Sequence, residues 1–175
     1  DKIRVTGNDS DSISFNNSGN ITLNKDVTVN SGTLGASVVF PAGHIVQTVT
    51  MGHGTTTQLS ASSATTVLSS TITPKFSNSK IMILGAMQLH PDDAGSYWMI
   101  RLLRGSTQIV GGLFSAIGYQ TAAGVRDHMA IHHIDSPSTT SATTYNISVE
   151  RSSGSGTIRV NYSDYGSMTF MEIAQ

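Results

Sequence analysis

Ile81-Met82-Ile83-Leu84 is the stretch that decides the fold. Successive side chains of an extended strand point to opposite sides, so four apolar residues in a row make both faces apolar. A strand of that kind belongs in the centre of a sheet. Helical spacing does not compete: few windows in the chain repeat apolar residues at i, i+3, i+4 and i+7. Outward from 79–89, alternating segments rich in β-branched residues recur at 44–51, 66–73, 96–104, 107–114, 126–134, 143–151, 156–162 and 166–174. Turn residues separate them at Gly52-His53-Gly54, Pro74-Lys75, Pro91-Asp92-Asp93, Arg104-Gly105-Ser106, Ser136-Pro137-Ser138 and Ser153-Gly154-Ser155-Gly156, the last read as a hairpin turn. About eight or nine strands at this spacing predict an all-β chain whose main body is a jelly-roll-like antiparallel β-sandwich. Trp98, Ile100 and Leu102 share one face of their strand. With Ile72, Ile83, Ile147, Val149, Ile158 and Val160 they form the expected core. The last strand, ending at the chain terminus, needs a central or interchain position to hold it.

Residues 1–42 read differently. Ile3 and Val5, Ile13 and Phe15, Ile21 and Leu23, and Val27 and Val29 alternate in short segments. Gly7-Asn8-Asp9-Ser10, Asn16-Asn17-Ser18-Gly19-Asn20 and Asn30-Ser31-Gly32 break them up. Each segment has one apolar stripe and too few residues to bury it alone, so it must pack on copies of itself or on another chain. A short trimeric β-shaft does this by placing the stripes of its chains on one axis. Fully extended, the stretch would reach on the order of 130 Å at ~3.3 Å per residue. Val38-Val39-Phe40-Pro41-Ala42-Gly43 marks the boundary, giving a shaft over 1–42 and a head over 43–175.

Composition narrows the function. The 175 residues are enough for a real core, and the absence of cysteine excludes a disulfide framework and thiolate metal sites. Charged residues make up 12% of the chain, about half the usual share, and the net charge is −1. No basic patch could track a phosphate backbone, so no nucleic-acid partner is expected. Serine and threonine together supply roughly a quarter of the residues, well above their usual share, and give a surface solvated by hydroxyls. No run approaches the ~20 apolar residues of a membrane span, so no membrane insertion is expected. The chain begins at Asp1 rather than Met, which leads us to expect more polypeptide upstream.

Catalytic and metal chemistry find little support. On a strand, His128 and His132 share a face but lie about 13 Å apart, too far to ligate one metal, and His133 faces the other side. A solvated or interface role is the simpler reading of all three, although a ring of His132 or His133 on a trimer axis would suit a metal. Asp92 and Asp93 with His90 offer ligands for a hard cation, but Pro91-Asp92-Asp93-Ala94-Gly95 reads more simply as a turn. Ser153-Gly154-Ser155-Gly156 is not a nucleophile elbow, which needs a strand before it and a helix after it. No helix follows Gly111-Gly112 or Gly52-His53-Gly54, so neither cradles a phosphate. The 11 acidic residues fall mostly in turns and suggest no carboxylate pair in a cleft. We therefore expect no enzyme activity and no cofactor. Aromatic rings stack on sugars and anchor interfaces. Trp98 is mid-strand and assigned to the core, whereas Tyr119 and Tyr165 are read as loop residues. Together with Asp92 and Asp93 they are the candidate receptor contacts.

Several segments, in order, resemble the C-terminal region of phage tail fibres, especially those of marine bacteriophages. Phe40-Pro41-Ala42-Gly43-His44-Ile45-Val46-Gln47 resembles the shaft-to-head junction. Ser70-Thr71-Ile72-Thr73-Pro74 followed by Ser77-Asn78-Ser79-Lys80-Ile81 resembles a strand–turn–strand of such fibres. Arg101-Leu102-Leu103-Arg104-Gly105-Ser106-Thr107, the segment Asp135 to Tyr145, and Met168-Thr169-Phe170-Met171-Glu172-Ile173 resemble later pieces. The likeness covers roughly residues 40–175 and rests on the joint presence and order of the pieces. It implies a homotrimeric virion protein assembled in the host cytoplasm. The N-terminal side would join other virion proteins, and the tip would meet a host surface glycan or protein. The alternative is a head fibre or capsid decoration protein with a mainly structural role.

Overall fold

The computed structural model describes residues 13–15, 21–23, 40–52, 54–60, 62–110, 116–119, 123–164 and 166–175. Tyr165, His53, Gly111-Gly112 and most of the expected shaft lie outside the described residues, as do the side chains of 116–119. The chain divides into two units, Asp1–Val38 and Val39–Gln175. In the first, β1 (Ile13–Phe15) and β2 (Ile21–Leu23) pair antiparallel, with Ile13 opposite Leu23, Ser14 opposite Thr22 and Phe15 opposite Ile21. The chain doubles back over these residues instead of running fully extended, because the pairing satisfies backbone groups that a lone strand would leave to water.

The second unit holds β3 (Ile45–Met51), β4 (Thr57–Leu59), β5 (Thr65–Ile72), β6 (Lys80–Pro91), β7 (Tyr97–Arg104), β8 (Thr107–Val110), β9 (Ala116–Tyr119), β10 (Asp127–Asp135), β11 (Thr143–Ser153), β12 (Ile158–Val160) and β13 (Gly166–Ile173). One sheet runs β3-β13-β6, with β10 on the other edge of β6, and continues through β12 and β4 beyond the region that β13 covers. The other runs β5-β11-β7-β8, and β9 pairs with the first part of β7. Every pairing is antiparallel. The orders β3-β13-β6-β10 and β5-β11-β7-β8 are the two four-stranded sheets of a jelly roll. The terminal strand β13 lies between β3 and β6, as its need for neighbours required.

The inner faces of the two sheets form one core. Trp98, Leu102, Ile83, Ile147, Val149, Ile158 and Val160 are 0% exposed, and Ile72 and Ile100 are buried with them. Tyr145 and Phe170 meet in this core with ring centroids 5.3 Å apart. Strand β6 is central, flanked by β13 and β10, but only one of its faces is covered. Ile81 and Ile83 point inward, whereas Met82 is half-buried and Leu84 is 36% exposed. A two-layer sandwich covers one face of each sheet, so hydrogen-bond centrality did not carry burial on both sides.

Two expectations about connections and strands are corrected. Ser153-Gly154-Ser155-Gly156 is not a hairpin turn: it carries the chain from β11 in one sheet to β12 in the other. It packs on the other crossing at that end, where Gly156 N donates to Ser96 Oγ at 2.9 Å. A Cβ on Gly154, whose φ is +86°, would come within 2.5 Å of the Gly95 carbonyl oxygen. Gly154→Ala is therefore expected to destabilise the sandwich by about 2 kcal/mol, read as a lower urea midpoint. The segments 57–59 and 116–119 are short additional strands, so residue 119 ends β9, paired with Tyr97, and is not in a loop.

Glu172 shows how a crossing is held. Its side chain is completely buried and accepts from Lys75 N (2.8 Å), Phe76 N (3.1 Å) and Gln47 Nε2 (2.6 Å). The connection from β5 to β6 is thereby pinned to the end of β13. Glu172→Gln would set an amide NH2 or a weaker carbonyl acceptor against these donors. The expected loss is about 2 kcal/mol, measured by equilibrium unfolding.

Candidate surface-binding site

The outward face of the first sheet changes character along β6. Beyond Lys80, its outward positions are Met82, Leu84, Ala86, Gln88 and His90, which run from apolar to polar. Around Leu84 the face is apolar, with Ile134 of β10 44% exposed and paired beside Met82. At the other end, antiparallel pairing sets Gln58, Arg159 and His90 in one row across β4, β12 and β6. The next row holds Gln88 and His128, whose Gln88 Nε2 and His128 Nε2 atoms lie 3.2 Å apart.

A buried asparagine places an aromatic ring over these rows. Asn161 follows β12 with φ +55°, a left-handed conformation that Asn tolerates better than most residues. Its Nδ2 donates to Val67 O at 3.0 Å, and its carbonyl accepts from Thr56 Oγ1 at 3.0 Å. Gly54 and Gly166 close on its side chain, and a Cβ on either would overlap it. The chain leaves this anchor as a short 3-10 turn, Tyr162–Asp164. Tyr162 stacks on His90, with centroids 4.5 Å apart and planes inclined by 24°.

Two arginines reach the same ring. Arg126 Cζ lies 4.8 Å and Arg159 Cζ 5.6 Å from the Tyr162 centroid, within cation–π range. Arg126 immediately precedes β10, and Gly124 N donates to Pro91 O at 2.9 Å, which ties that approach to the end of β6. Arg159 also pairs with Asp92, its Nη2 3.2 Å from Oδ1. Asp92 Oδ2 accepts from Thr157 Oγ1 (3.1 Å) and Gln58 Nε2 (3.3 Å), and Asp93 Oδ2 accepts from Thr157 N (3.3 Å). His90 Nδ1 approaches Asp92 at 3.5 Å, too far for a good hydrogen bond.

Among solved structures, the chain is similar to a protein in the structure of infectious bursal disease virus, Gx strain. The TM-score is 0.52 at 13% identity, over 86% of this chain and 42% of that one. The VP2 subviral particle of the same virus gives a TM-score of 0.49 at 13% identity, over 71% and 32%. The likeness is one of fold. The chain spans less than half the length of the virus protein it matches. No protein-family profile matches the sequence, and no curated protein matches it.

Of the residues singled out from sequence, Asp92 and Asp93 lie in this cluster, held by Thr157, Gln58 and Arg159. Tyr119 ends β9 in the other sheet, and Tyr165 lies outside the described residues. The aromatic residue that organises the cluster is Tyr162, and Arg126, Arg159 and His90 join it through strand pairing. The short polar turn after β12, Asn161-Tyr162-Ser163, was the available local signal. His128, Ala130 and His132 are exposed along β10, and His133 is half-buried on its other face. Among the described residues, no three His, Asp or Glu side chains are grouped to hold a metal.

Proposed function

We propose that this chain is the distal, non-catalytic part of a virion fibre, a homotrimer whose jelly-roll head binds a host surface glycan or protein. The observation that carries the reading is the Tyr162 cluster. It is an aromatic ring with two guanidinium groups on the outward face of a rigid sandwich, the residue types that dominate binding surfaces. A hydroxyl-rich, weakly charged surface and a fold shared with a virus protein support a virion role. The state of four of the described acids supports a binding rather than a catalytic role. Glu150 pairs with Arg101, Asp135 with Arg104 and Tyr145, Asp92 with Arg159, and Glu172 caps backbone donors. Trimerisation would repeat a weak site three times and raise avidity. Marine-phage tail-fibre sequences, which the chain resembles, fit the same role.

The test is competition for adsorption. The purified full chain, added to susceptible cells before the particle, should lower adsorption in a dose-dependent way. Its native mass should be three times that of the monomer. A monomer, or adsorption unchanged at saturating protein, would refute the corresponding half of the reading. A capsid decoration role is the second reading, favoured by the fold likeness to a protein in the structure of a virus.

A further inference from the structure

The described arginines differ in one respect. Arg101 pairs with Glu150, Arg104 with Asp135 and Arg159 with Asp92, and Arg151 donates to the Gly156 carbonyl. Arg126 is exposed and has no carboxylate or carbonyl partner among the described residues. Its contact is with the ring of Tyr162, which is itself fixed by His90 on β6 and by the Asn161 anchor. A guanidinium stacked on an aromatic ring is partly pre-ordered, and its N–H edges remain free to form paired hydrogen bonds to an oxyanion. Gln58, His128 and Ser163 are neutral hydrogen-bonding residues on the surrounding surface, suited to sugar hydroxyls.

We propose that Arg126, held on Tyr162, receives the carboxylate or sulfate of an acidic saccharide. This rests on the surface-binding reading and names the ligand class for it. The oxyanion docks on the guanidinium edge, and the sugar body lies along the Gln58–Arg159–His90 row. A saccharide carrying one acidic group is favoured over an acidic peptide, because a peptide with several acids would meet Asp92 and Asp93 beside the site.

The test is calorimetric titration of the full chain with sialyllactose, a monosulfated lactose, neutral lactose and a glutamate tetrapeptide. At least one acidic sugar is expected to bind at least tenfold more tightly than lactose and than the tetrapeptide. Arg126→Ala should weaken that binding at least tenfold with an unchanged melting temperature, and Arg126→Lys should fall between. Equal binding of lactose, equal or tighter binding of the tetrapeptide, no binding of any acidic sugar, or an unaffected Arg126→Ala variant would each overturn the proposal. The same variant in the adsorption assay separates the two readings. If Arg126→Ala competes as well as the unaltered chain, the acidic-sugar site falls and surface binding stands. If the unaltered chain does not compete, surface binding itself falls.

Discussion

Asp135→Ala is expected to lower the unfolding free energy of the sandwich by about 3 kcal/mol, measured by urea denaturation. Asp135 ends β10 in one sheet, while its partners Arg104 and Tyr145 lie in the other. Its Oδ2 lies 3.0 Å from Arg104 Nη1 and accepts from Tyr145 Oη at 2.7 Å. The carboxylate therefore staples the two layers beside the Tyr145–Phe170 contact. Its removal leaves a phenol hydroxyl unpaired on a ring that is 0% exposed. Tyr145→Phe removes the hydroxyl together with its need for a partner, so the expected loss is smaller, about 1 kcal/mol.

The same group sets an alkaline limit. Burial, then the hydrogen bond from Tyr145 to Asp135 and the charge of Asp135, push the Tyr145 phenol well above its ordinary value, and Arg104 pulls weakly the other way. A pKa raised in the folded state stabilises the fold fully below the unfolded value of about 10. That contribution is lost as pH rises further, because the unfolded chain ionises while the folded one does not. Stability should decline by about 1.4 kcal/mol per pH unit above pH ~10 from this residue. The Tyr145→Phe variant should lack that component of the decline.

Trp98→Ala is expected to have the largest effect of any single truncation, about 3–5 kcal/mol, because Trp98 is the largest fully buried side chain. Trp98→Phe should cost clearly less. The indole Nε1 is buried and has no hydrogen-bond partner among the described residues, so losing it forfeits packing volume and none of the described polar contacts. Thermal or urea unfolding of the two variants side by side checks this. Equal losses would show that the indole nitrogen is satisfied in solution.

What sequence could reveal follows from how local each feature is. Trp98, Leu102, Ile83 and Ile147 were legible because strict alternation marks one face of a strand, and the sandwich buries that face whatever its neighbours. Ile81-Met82-Ile83-Leu84 revealed a central strand but not which face stayed open, since that depends on the number of layers. Ser153-Gly154-Ser155-Gly156 has the letters of a hairpin. Whether it returns to the same sheet is decided by the pairing of β12 with β6 and β4, far away in sequence. Gly118 interrupts the pattern beside Tyr119, and Thr57-Gln58-Leu59 is too short to show a period. The site was the least legible part. His90, Arg126, Arg159 and Tyr162 sit in separate segments, and only strand register and the left-handed Asn161 bring them to one ring.

Where the chain sits on the particle bears most directly on the fibre reading. Particles labelled with a gold-tagged antibody raised against the full chain should show label at the distal ends of projecting fibres in electron micrographs. Label lying flush with the capsid shell, or particles that carry none, would contradict it.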